Sequence, residues 1–192
     1  SLIHTYVWGW AIEWTFFVLE IVAALVYYST WDTISKSTHL LVGWLYFVAA
    51  YLSLVIINGI ITFMLTPGQW LATGEFWDGF FNPTYWPALV LRTGICIVMA
   101  TVFIAFSALK AEASDRPRLV RYLGWWLTGG AVVSYAGYRW WEAALPQTVS
   151  DVFRGASPSL ATLAATRSLT LWALAAVLTL AVLAMVLAPR SF

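Results

Sequence analysis

The chain has 192 residues, 61% of them hydrophobic and only 10% charged, with a formal net charge of +1 and a mean hydropathy of +0.79. A soluble domain is nearer half apolar and a quarter charged, so this composition excludes one, and the near-neutral balance gives nucleic-acid binding no support. The lone Cys96 excludes an internal disulfide.

A bilayer span needs ~20 mostly apolar residues. Five runs qualify, at roughly 7–29, 40–65, 86–109, 119–140 and 166–188. They predict an all-α, polytopic membrane protein: one transmembrane domain over 1–192, a bundle of about five helices.

The first run contains AIEWTFFVLE (11–20), with Glu13 and Glu20 in otherwise apolar surroundings. Seven residues are close to two helical turns, so both acids project from one face, about 10 Å apart along the axis. An acid at that depth faces protein or water rather than lipid. Two readings stand: a proton relay, or a pair of buried acids that serves helix packing. His4 precedes this run and His39 opens the second. A membrane thickness separates them, so they cannot ligate one haem between them. His4 is a candidate contact to a haem on a partner.

The segment 66–87 has no Lys or Arg and holds Pro67, Gly68, Gly74, Gly79, Pro83 and Pro87, so it cannot be one helix. Its aromatics predict a segment on the membrane surface that caps a site between helices or covers a partner subunit. Trp77 and Trp86 are the candidate partner contacts. In the third run, Arg92 lies roughly 8 Å from the start, a depth matching Glu13. A hydrogen-bonded pair lowers the cost of burying either charge, so Glu13 and Arg92 are expected as a buried ion pair. Arg167, at the head of the fifth run, is expected to snorkel to the interface.

Lys36, Lys110, Arg116, Arg118, Arg121 and Arg190 fall on one side of this topology, against Arg139, Arg154 and Arg167 on the other. The positive-inside rule then puts the N-terminus outside and the C-terminus in the cytoplasm. The connections contain no Cys-x-x-Cys-His, no Cys/His cluster, no glycine-rich phosphate loop and no Ser-His-Asp pattern. No metal site, attached c-type haem or catalytic residue is expected in this chain.

The stretches AIEWTFFVLE, STWDTISKSTHLLVGW, IINGIITFMLTPG and FNPTYWPALVLRT resemble subunit I of cytochrome bd quinol oxidases. That family has a helix with two acids, a Trp-Asp turn, a histidine entering the next helix, an Asn-Gly late in it and an Asn-Pro before a further helix. The order here is Glu13 and Glu20, Trp31-Asp32, His39, Asn58-Gly59 and Asn82-Pro83. The resemblance covers about residues 5–145 and, more weakly, the last run. It departs at the haem. Where the family has a b-haem histidine before a threonine, this chain has Arg92 before Thr93. Where it has a methionine ligand two residues after an arginine, this chain has Leu169 after Arg167. The family's first two and last helices have no counterpart in these residues, its quinol loop is reduced to 142–165, and its acids are usually eight apart rather than seven.

The resemblance implies a haem-free membrane subunit of a multi-subunit respiratory electron-transfer complex, at most one part of an oxidoreductase. It would sit in a bacterial or archaeal inner membrane and anchor other membrane and outward-facing redox subunits, cytochromes among them. Haem of b or c type would then lie on the partners, with quinone contact at the helix faces, and Glu13 and Glu20 would belong to a proton route. The alternative it implies is a split subunit of a bd-type quinol oxidase with haems at chain interfaces.

Overall fold

A computed structural model of the chain describes residues 6–108, 112, 114–155 and 158–187. Among the described residues the helices are, in order, α1 (Val7–Ser29), α2 (Lys36–Leu65), α3 (Trp70–Thr73), α4 (Phe76–Phe80), α5 (Tyr85–Ala108), α6 (Arg116–Ala144), α7 (Gln147–Arg154) and α8 (Pro158–Leu187). The described residues contain no strand. The protein is thus an all-α membrane protein, as its composition requires.

Among the described residues four helices, α1, α2, α5 and the stretch Leu160–Leu187 of α8, are long and apolar enough to cross a membrane. They match the first, second, third and fifth expected spans. The fourth expected span, 119–140, lies within α6. At 1.5 Å per residue α6 is about 43 Å long, but it is less apolar because Arg116, Arg118 and Arg121 load one end and Arg139 and Glu142 the other. The largest difference from expectation is at 142–165: this is no open loop, but the end of α6, the short helix α7 and the first turns of α8.

Local chemistry sets the boundaries. Thr30 bonds back to the Val26 carbonyl through its backbone N–H (3.0 Å) and its hydroxyl (2.6 Å), closing α1. The Ser35 hydroxyl accepts from the Thr38 N–H (3.2 Å) and so caps the start of α2. Pro117 opens α6, where a missing N–H costs nothing. Gly155, at φ 76°, turns the chain from α7 toward α8.

The chain divides into two compact units between Tyr85 and Trp86. In the first, α1 and α2 form an antiparallel pair, and α4 folds back on the far end of α2. In the second, α6 packs against α8 through Val120, Leu123, Leu127 and Met185. Near the other end of α6, Gly137 lets that helix approach the Leu91 backbone so closely that a Cβ would collide with it. Large side chains such as Phe103 (77% exposed) and Trp172 (76%) point away from both packing interfaces. Lipid is the solvent that tolerates such surfaces.

Candidate functional site

Glu13 and Glu20 both stand half-buried on α1. The Glu13 carboxylate accepts a hydrogen bond from the Ser53 hydroxyl of α2 at 3.2 Å. Among the described residues Glu20 makes no hydrogen bond or ion pair. A partner on α2 is thus described for Glu13 alone. Glu13 belongs to the first unit and half-buried Arg92 to the second. Within its own unit, the partner of Glu13 is Ser53. His4 lies outside the described residues.

His39 is part of the joint between α1 and α2. Its ring stacks on Tyr27 (centroids 4.0 Å apart) and meets Trp31 edge-on at 4.8 Å. Its Nε2 lies 2.9 Å from the Tyr27 carbonyl oxygen, which accepts a hydrogen bond from the ring N–H. That bond satisfies one of the carbonyls left open at a helix end, so this histidine ties α2 to the last turns of α1.

The densest polar chemistry is at the other end of this pair. Asn58 and Thr62 on α2 and Thr66, which caps its end, recur at four-residue intervals along one stripe, and all three are buried. The stripe meets Asn82, which follows α4. The Asn82 amide donates to Thr62 Oγ1 (2.9 Å) and to the Gly79 carbonyl (3.0 Å). Its Oδ1 accepts from Thr66 Oγ1 (2.9 Å), the Thr84 N–H (3.1 Å) and Thr84 Oγ1 (2.9 Å). The Thr66 and Thr84 hydroxyls also touch each other. Asn82 thereby makes an Asx turn over Pro83 and launches α5. Asn58 Nδ2 donates to the Tyr85 carbonyl at 2.9 Å, while its Oδ1 has no hydrogen-bond partner among the described residues.

Aromatic rings pack round this knot. Phe80 lies on Gly59, where any Cβ would enter its ring. Tyr6 packs on Phe63 (4.7 Å) and Phe76 (5.2 Å). The Tyr6 hydroxyl is buried without a partner among the described residues, and burial pushes its phenol well above the ordinary range. The segment 66–87 is therefore a cap on its own helix pair, built from α3, α4 and the Asx turn. Its outer surface leaves Trp77 62% and Trp86 54% exposed. Gly68, Gln69, Trp77, Asp78, Phe81 and Pro83 line a shallow, open depression there of about 630 Å³.

The second unit holds an ionic cluster. Arg167 does not simply snorkel: its Nη2 lies 3.5 Å from Glu142 Oε1. Arg139 Nη1 contacts Glu142 Oε2 at 3.1 Å, and the Tyr138 hydroxyl donates to Oε1 at 3.3 Å. Glu142 of α6 thus holds α8 by one guanidinium. The spacing of Tyr138, Arg139 and Glu142, four and three residues apart, carries this signal in the sequence. The Asn58-Thr62-Thr66 stripe was equally legible. The meeting of each with a distant segment was not.

No group of three or more His, Cys, Asp or Glu able to hold a metal occurs among the described residues. Comparison with known protein families, with characterised proteins and with solved structures finds no match for this chain.

Proposed function

We propose that this chain is a haem-free membrane subunit of a respiratory electron-transfer complex, of bd-like ancestry, that anchors cytochrome-bearing partners. The observation that carries the reading is the division of labour among the residues that resemble the bd family. His39, Trp31, Asn58, Gly59 and Asn82 all take part in holding the first unit together. The positions where that family holds its b haem carry Arg92, whose guanidinium offers no lone pair, and Leu169, which has no donor atom. A scaffold retained without its haem ligands fits a subunit whose work is assembly.

On this reading the chain lies in a bacterial or archaeal cytoplasmic membrane with its N-terminus outside. The exposed Trp77 and Trp86 meet outward-facing redox subunits. Glu13 and Glu20 take part in a proton route toward a partner's haem, and the exposed helix faces contact quinone or lipid.

The test is purification of the native assembly through a tag on this chain, followed by subunit identification and a pyridine haemochrome assay. The proposal expects cytochrome subunits to co-purify and to account for all of the haem. A d-type band, with haem that remains on this chain after the partners are stripped, would establish the split quinol oxidase instead. Recovery of the chain from native membranes with no redox subunit would overturn both.

A further inference from the structure

The segment 66–87 contains two acids, Glu75 and Asp78, and no Lys or Arg. Both acids are exposed, and neither takes part in an ion pair among the described residues. Asp78 lines the depression on the cap, beside Trp77 and Phe81, and Glu75 does not. Asp78 is held there from two sides. The Thr73 hydroxyl donates to its Oδ2 at 2.8 Å. Gly68, at φ 62°, packs so closely that a Cβ would stand 2.9 Å from the Asp78 carbonyl oxygen. An ionised carboxylate only accepts hydrogen bonds and has about four sites for them. Thr73 takes one.

Trp77 supplies the other half of the site. Its ring runs nearly parallel to that of Phe81, with an interplanar angle of 14° and 5.7 Å between centroids. An indole face attracts a cation that comes within about 6 Å. A carboxylate beside an exposed indole suits a guanidinium in particular. The planar fork matches two carboxylate oxygens, and its flat face stacks on an aromatic ring.

Shape and charge select the source of that cation. A small-molecule site buries most of its ligand's surface, whereas this depression is shallow and open. An anionic bilayer surface repels two acids that no Lys or Arg of the segment offsets. A protein surface can cover such a patch, and Trp and Arg are the residue types that most often anchor protein interfaces.

We propose that Asp78 and Trp77 receive an arginine side chain of an outward-facing partner subunit. The site rests on the reading above that such a subunit covers the cap, and it adds the chemistry that holds the subunit there.

The native assembly, purified through a tag on this chain, tests both levels. A photocrosslinking residue, Gln69→p-benzoylphenylalanine, puts a probe in the depression. It should link to a peptide of an outward-facing subunit that carries an arginine close to the link. On the immobilised assembly without the probe, Asp78→Asn should speed the loss of that subunit about tenfold, because removing one partner of an interfacial charge pair acts mainly on dissociation. Asparagine keeps an oxygen that accepts from Thr73, and unchanged thermal unfolding of the chain checks that only the charge is lost. Trp77→Leu should speed the loss as well. Glu75→Gln, outside the depression, should stay within about twofold of wild type. A linked peptide without arginine, or wild-type dissociation in Asp78→Asn, would overturn the arginine site and leave the subunit's position standing. An equal effect of Glu75→Gln would also overturn it, in favour of diffuse attraction. A link to lipid, or to no other chain, would overturn both the site and the reading it rests on.

Discussion

The two units handle buried polarity in opposite ways. The first uses neutral groups: Asn82 sits 2% exposed among hydroxyls and carbonyls, and every donor and acceptor on its side chain is engaged. The second uses charges, and keeps them half-exposed: Arg167 and Glu142 retain 30% and 26% of their side-chain exposure. Deep burial is affordable for a neutral amide that is fully hydrogen-bonded, whereas an ion pair still carries a desolvation cost. The knot can therefore fix the chain path where α2 and α4 meet the turn at Asn82–Tyr85, whereas the ionic cluster keeps its charges partly exposed.

Breaking the neutral knot should do the most damage. Asn82→Ala removes bonds to Thr62, Gly79, Thr66 and Thr84 and strands several of those partners. It should cost about 3 kcal/mol, between the modest worth of one hydrogen bond in a membrane protein and the penalty for several stranded groups. Thermal unfolding of the purified chain in mild detergent, against wild type, measures it. A loss no larger than that for an exposed apolar position would mean that the knot does not set stability.

Breaking the charged cluster should do less. Glu142→Ala removes the bond that joins α6 to α8, but its partners are solvated enough that the cost should be about 1 kcal/mol. High salt should shrink the difference between wild type and Glu142→Ala. Salt should leave the Asn82→Ala difference unchanged, which is the sharpest form of the comparison.

A third test isolates the hydroxyl within the knot's aromatic wall. The Tyr6 phenol has no hydrogen-bond partner among the described residues. Tyr6→Phe should therefore be neutral or stabilising by up to about 1 kcal/mol, since it removes a buried unsatisfied group. Tyr6→Ala should cost about 3–5 kcal/mol through the cavity it leaves. Burial raises the folded phenol above its ordinary value near 10. Its contribution is therefore complete below pH ~10 and is lost as pH rises beyond that. Tyr6→Phe should flatten that part of the alkaline loss. A Tyr6→Phe protein that unfolds as early as Tyr6→Ala would show that the hydroxyl is engaged.

The smallest change is expected at Glu13. Glu13→Gln keeps an oxygen that can accept from Ser53, and Ser53→Ala removes one bond of about 0.6 kcal/mol. If the acid serves packing alone, both variants should assemble and turn over normally. Slowed proton-coupled turnover in Glu13→Gln with intact assembly would favour the proton route.

Most of the fold was legible in the sequence because hydropathy and helical period are local signals. The four apolar spans, the shared face of Glu13 and Glu20, and the broken character of 66–87 follow from residues near one another in the chain. The missing parts were matters of long-range pairing. Nothing local in Asn82 says that it meets Thr62 and Thr66, and nothing local in Arg167 says that Glu142 waits on the preceding long helix. Residues 142–165 were misread because a short amphipathic helix, α7, has neither the length nor the apolarity of a span. Its turn signals, Pro146 and Gly155, were visible.

The central claim is that the residues resembling the bd family hold this chain's fold while iron is held elsewhere. A density map of the intact native assembly tests it most directly. The account predicts that no haem iron lies within bonding distance, about 2.5 Å, of any residue in the spans of this chain, Glu13, Glu20 and Met99 included, and that another chain covers Trp77 and Trp86. An iron ligated by one of those side chains would contradict it.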